Sequence, residues 1–501
     1  MRLLSSARCC SGAIVVGRGL VFALLLGSAA AGAGDWTDTG DTALRMAVEQ
    51  LVDERVFDMP VLSWPIADAE LRRSLDAAEA RGLLNPAQQG ALERVRRALE
   101  PSQREWFVAA GEPTDLRVFD DAPRESGELG VTARWTGNPR YSAQLRLTAT
   151  IDPQDGQSLR PDGSYVTART GNWLWSAGWQ ERWWGGGQEG STQLSSNARP
   201  VFALSFDRET SRPSESRWFS WLGPWTVGTF IGALENRRSD SNHALLWGFR
   251  AAARPLPGLE FSITRNAQFC GDKPPCSPKA FWNVVSGNDN AGENVAAADE
   301  PGNQLATYEG RWAGHIGRLP LALYFQNTGE TIDNKFPRPL RTMTLASIGT
   351  WGDTASGLRW RAHLEFSTTT CADFDDAQTA DCAYENAVFS AGYRYRGRVL
   401  GHSTDSDSRQ WALAITTSGA AGASWSATVR RAEINRIGAT PSLTHTLAPG
   451  PQTWWVGEGR HSRDLLGGVL DASVGVEYRR DDRTHDTSLE PVGYLRWTRP
   501  F

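Results

Sequence analysis

Over most of the chain, apolar and polar side chains alternate with a period of two. In Tyr141-Ser142-Ala143-Gln144-Leu145-Arg146-Leu147-Thr148-Ala149-Thr150-Ile151 apolar residues take every odd position and polar ones every even position. Such a run predicts a strand long enough to cross a bilayer at a tilt. The same alternation recurs in Trp225, Val227, Ile231 and Ala233; in Leu259, Phe261 and Ile263; in Trp360, Ala362, Leu364 and Phe366; and in Leu470, Ala472, Val474, Val476 and Tyr478. The intervening Glu260, His363, Glu365 and Glu477 then face the other side of the sheet, which in a closed barrel is the lumen. Between residues 41 and about 100 the period is 3.6 instead. Leu44, Val48, Leu51 and Val52 form one stripe, Leu71, Leu75 and Ala78 a second, and Leu92, Val95 and Leu99 a third. Asn85-Pro86-Ala87-Gln88 opens the third helix with an N-cap, a proline at N1 and a glutamine at N3, and Pro101 ends it.

Connections alternate in length. Gly137-Asn138-Pro139-Arg140, Leu256-Pro257-Gly258, Gly317-Arg318-Leu319-Pro320 and Ser418-Gly419-Ala420-Ala421-Gly422 read as tight turns, whereas 152–164, 270–303 and 371–385 read as long polar loops. Short turns at one end and long loops at the other are the habit of outer-membrane barrels, and about eighteen alternating segments run from 105 to 501, the even number such barrels take. The expected fold is all-β and transmembrane: an eighteen-stranded antiparallel outer-membrane β-barrel at 103–501, preceded by a small periplasmic α-helical bundle at 34–102. The N-terminus carries Arg2, Arg8 and Arg18, an apolar run from Gly19 to Leu26, then small residues, which predicts a signal peptide over 1–33. At the other end Leu495, Trp497 and Phe501 share a face, a pattern like the signal read by the barrel assembly machinery.

Composition narrows the partners. Loss of the three signal arginines takes the formal charge from −5 to −8, which argues against nucleic acid. Beyond the signal no apolar run approaches the length of a membrane helix, so the lipid contact expected is through strands. Cys270 and Cys276, and Cys371 and Cys382, are close pairs in an exported chain and predict two local disulfides; neither pair has zinc-ligand spacing. The seven histidines form no H-E-x-x-H, and neither a G-x-S-x-G elbow nor a phosphate loop occurs, so no enzyme and no cofactor are expected. Asp373, Asp375 and Asp376 form an acidic tract that can bind Ca²⁺ weakly or simply be solvated.

The densest recognition chemistry is Gln180-Glu181-Arg182-Trp183-Trp184-Gly185-Gly186-Gly187-Gln188-Glu189-Gly190-Ser191. A strand running outward from Trp173 to Glu181 would bring both indoles to the outer rim, where they stack on sugar faces, belong to the aromatic girdle or fold in to close the lumen. This stretch, with Leu62-Ser63-Trp64-Pro65-Ile66, Trp221-Leu222-Gly223-Pro224-Trp225, Phe281-Trp282-Asn283 with Gly287-Asn288-Asp289-Asn290, and Glu300-Pro301-Gly302-Asn303-Gln304-Leu305-Ala306, resembles the Wzi group of capsule-assembly outer-membrane proteins. The resemblance implies an eighteen-stranded barrel with a periplasmic bundle that acts as a lectin for capsular polysaccharide; the alternative is a porin or sugar channel. The loops, cysteine pairs included, depart from the group's pattern, leaving the sugar open. Sugars need aromatic faces and paired donors and acceptors. Trp183, Trp184 and Trp282 are the aromatic candidates, and Glu181, Arg182, Gln188, Glu189, Asn283, Asn288, Asp289, Asn290 and Asn303 the polar ones. The expected partners are surface polysaccharide, outer-membrane lipid and the assembly machinery, with a monomeric protein.

Overall fold

The structure is a computed structural model, and it describes residues 35–501 except 83, 237, 273–275, 287–301, 333–338, 355–357, 373–377 and 420–421. The expected signal at 1–33 lies outside the described residues. Among the described residues eighteen strands close a fully antiparallel barrel, from Arg104–Glu112 to Thr487–Pro500, and those two strands pair with each other. The alternation decides the orientation of every strand. On Tyr141–Ile151, Leu145, Leu147 and Ile151 are exposed, whereas Ser142, Gln144, Thr148 and Thr150 are buried inside. Glu260, Glu365 and Glu477 are buried in the lumen as expected, while Leu364, Leu413, Val429, Val474 and Leu495 lie on the outer belt. That belt is what lipid requires: closure satisfies the backbone laterally and leaves no edge.

The helices α1 (Thr42–Asp53), α2 (Asp68–Arg81) and α3 (Pro86–Ala98) match the three predicted stripes. Asn85 and Gln88 form the predicted capping box. Leu44, Val48, Leu51, Leu71, Leu75, Leu92 and Val95 meet in one core with Trp64, Phe119 and Trp183. The bundle sits at the short-turn end, the periplasmic one, where the Gln50 amide donates to the carbonyl of Trp360 at 3.4 Å.

Charges dock the bundle. α1 is buried from Leu44 to Asp53, and the lumen wall faces it with arginines. Asp53 pairs with Arg311 at 2.6 Å and with Arg361 at 3.1 Å, and Glu54 meets Arg359 at 3.1 Å. Removing one member of a buried set like this leaves an uncompensated charge, at a typical cost of about 3–5 kcal/mol.

Candidate functional site

The Trp-Trp-Gly segment does not reach the rim. Its preceding strand, Trp173–Gly178, has only six residues. After Gly178 the chain leaves the wall and turns into the lumen, where Trp183 and Trp184 pair antiparallel with Trp64 and Ser63. Trp183 is 0% exposed and Trp184 5%, so neither indole belongs to a girdle and neither offers a face to a polymer. Trp183 packs edge-on against Phe119 at 5.4 Å, and Phe119 against Trp64 at 5.5 Å. The expectation of an outer-rim address is therefore corrected: the strand is too short to carry these indoles there, and burying two apolar rings inside the protein is the favoured outcome.

The glycines answer to space. The Gly185 amide donates to Leu62, and the carbonyls of Gly186 and Gly187 accept from Arg45 at 3.1 and 2.8 Å. A side chain on Gly186 would collide with Leu62 and Tyr324, and one on Gly190 would meet the His402 ring at 2.2 Å. Backbone thus threads where no Cβ fits.

Gln188 and Glu189 join this thread to both bundle and wall. The Gln188 amide side chain donates to Glu49 of α1 at 3.0 Å, and its backbone NH to Glu365 at 2.8 Å. Glu189 accepts from Arg430 at 2.5 Å and lies 3.4 Å from His363. Burial would push the Glu189 carboxyl up, but Arg430 and His363 outweigh it and hold it well below the usual carboxylate range. Burial acts on Glu49 in the same sense, yet Arg45, Arg361 and Arg311 hold it down to about 2. Nearby His402, buried against Tyr384, is pushed down to about 4 by desolvation, which the Glu189 charge only partly offsets.

The remaining candidates divide. Glu181 is held by Arg124 at 2.8 Å, and Arg182 lies over the Phe230 ring at 4.8 Å, so both face inward. Asn303 is buried and donates to Gln268 at 3.1 Å. Trp282 behaves differently from the two buried indoles: it is 64% exposed, on the helix Pro278–Ser286 at the long-loop end, with Asn283 half-buried beside it. Phe281 packs edge-on against Trp247 at 6.2 Å, which fixes the helix and leaves the Trp282 indole outward. Asn288, Asp289 and Asn290 lie outside the described residues, as do Asp373, Asp375 and Asp376. Both expected disulfides are formed, Cys270–Cys276 and Cys371–Cys382, at the long-loop end. Among the described residues no cluster of His, Cys, Asp or Glu is arranged to hold a metal ion.

Two further inward segments carry no alternation and escape a reading by period. Residues 113–126 bring Phe119 to the bundle, and Val399–Ser408 is buried without a break. Glu189–Val201 is buried in the same way, so these segments obstruct the middle of the barrel beside a cavity of about 430 Å³ between the bundle and the wall, lined by Glu49, Glu189, His363, Arg430, Arg460 and Arg496. The one available signal was on α1, where Glu49 and Asp53 stand four residues apart on a buried helix whose single arginine, Arg45, can pair with Glu49 and leaves Asp53 needing a cation from elsewhere.

A closed, lipid-belted barrel whose lumen is obstructed by its own segments and by an N-terminal bundle is a plugged outer-membrane barrel. A sequence profile of the family described as capsule assembly protein Wzi matches residues 119–480, and the chain belongs to that family. It is 26% identical over 336 residues to a 55.8 kDa protein of the cps region of Klebsiella pneumoniae, covering 64% of each chain and so spanning just under two thirds of that relative. Among solved structures it is similar to Wzi of Escherichia coli, described as a carbohydrate-binding β-barrel involved in group 1 capsule assembly, with 20% identity, a TM-score of 0.82, and coverage of 93% of this chain and 100% of that one.

Proposed function

We propose that this protein binds surface polysaccharide at the long-loop end of the barrel and helps to hold it on the cell. The observation that carries the reading is the contrast between a lumen obstructed by inward segments and the bundle and an exposed Trp282 on a helix next to a disulfide-closed loop. An obstructed barrel favours attachment over conduction, and a solvent-facing indole offers a sugar its apolar face. Asn283 lies beside it in the chain, and Asn242, His243 and Asp272 form an exposed hydrogen-bonding group on adjoining loops, with Asn242 donating to Asp272 at 2.8 Å. The reading assigns Trp183, Trp184, Gln188, Glu189 and Asn303 to holding the plug, and keeps Asn288, Asp289 and Asn290 as candidate sugar contacts. It includes cleavage of a signal at 1–33, a monomer inserted by the barrel assembly machinery, and no catalytic step. Deletion of the gene should leave polymer synthesis intact and shift polymer from the cell to the medium; unchanged attachment would overturn the reading.

A further inference from the structure

The connection 209–224 breaks the rule that turns at the bundle end are short. It carries Trp218, Phe219 and Trp221 at 69%, 56% and 65% exposure, the densest group of exposed aromatics at that end among the described residues. Its base is fixed. Ser211 donates to Glu70 of α2, the Trp225 amide donates to Ser211 at 3.0 Å, and the Arg254 amide donates to Pro224 at 2.8 Å. The tip is compact as well: the Trp221 indole donates to the carbonyl of Trp218 at 2.9 Å, and Arg217 lies 4.8 Å from the Trp218 ring.

We propose that residues 212–223 form an aromatic knob seated in the periplasmic leaflet of the outer membrane, with phospholipid as its occupant. Continuity with the lipid-facing belt selects lipid. The strands that enter and leave the connection carry Leu204, Phe206 and Ile231 on the outer face, and Phe206 stacks on Trp173 at 4.5 Å. At the margin Arg208 lies 3.7 Å over the Trp225 ring, the arrangement of a cation reaching toward headgroups from an interfacial indole. Arg212 and Arg217 are exposed on the knob and suit phosphate, while its three aromatic residues suit the acyl boundary.

The test uses the whole protein in liposomes of phosphatidylethanolamine and phosphatidylglycerol. The four cysteines among the described residues are paired, so Ser220→Cys supplies a single site for a nitroxide, and Arg483→Cys at the opposite end supplies a solvent-exposed control. A seated knob gives Ser220→Cys several-fold lower collision with a water-soluble nickel chelate than the control, with high collision with oxygen, at every protein-to-lipid ratio. Replacing Trp218, Phe219 and Trp221 together by Ser should abolish that protection while heat-modifiable migration shows the barrel still folded. Nickel collision equal to the control overturns the proposal. Protection that grows with protein-to-lipid ratio also overturns it, because the occupant is then a second copy.

Discussion

Replacing Asp53 by Leu tests whether charge holds the bundle in the barrel. The Asp53 carboxylate is buried and shared by Arg311 at 2.6 Å and Arg361 at 3.1 Å. Arg361 keeps Glu49 at 3.4 Å, but Arg311 loses its only close ion-pair partner among the described residues. A buried cation stripped of its partner costs about 3–5 kcal/mol, which corresponds to a docking equilibrium weakened roughly 10²- to 10⁴-fold. The strands do not depend on this carboxylate, so the barrel should stay heat-modifiable. Limited proteolysis of detergent-solubilised protein should then cut within 54–62 or 81–86 far faster in the variant than in the parent. Equal cleavage rates would refute a docking role for the Asp53 charge and leave the apolar core and the remaining polar contacts of the bundle to hold it.

Three other outcomes follow from the same geometry. Gly190→Ala places a methyl 2.2 Å from the His402 ring between buried neighbours and should cost about 1–3 kcal/mol, read as a lower unfolding midpoint. Because the folded His402 is held down to about 4 from 6.5, its neutral form is favoured inside; stability is fully present above pH 6.5 and drains as pH falls toward 4, by roughly 3 kcal/mol. Relative to His402→Gln, the parent should therefore lose stability across that window, and parallel curves would contradict the assignment. In planar bilayers the purified protein should show no steady open conductance, since Glu189–Val201, Val399–Ser408 and the bundle obstruct the lumen; a stable porin-like pore would contradict a plugged interior.

Legibility in the sequence tracks exposure to two different solvents. Tyr141–Ile151 has lipid on one face and a polar lumen on the other, so its side chains alternate and its limits are readable to the residue. The helices show one apolar stripe each, and the cysteine pairs are close enough in sequence to imply their bonds. Glu189–Val201 lies buried inside the barrel with no lipid face, so no period marks it, and its contacts with Glu365, Gln326 and Leu400 come from distant parts of the chain. The same cause hides the true position of Trp183 and Trp184. An outer-rim address for them requires a full crossing, whereas the wall strand stops at Gly178 and the alternation stops with it.

If the exposed outer end holds polysaccharide, the purified barrel must bind that polymer through Trp282. The decisive experiment titrates the protein in nanodiscs with surface polysaccharide isolated from the native host. Saturable binding that weakens at least several-fold in Trp282→Ala, with unfolding midpoint unchanged, is the predicted result. Absence of binding to the native polymer, or binding indifferent to the loss of Trp282, would contradict it.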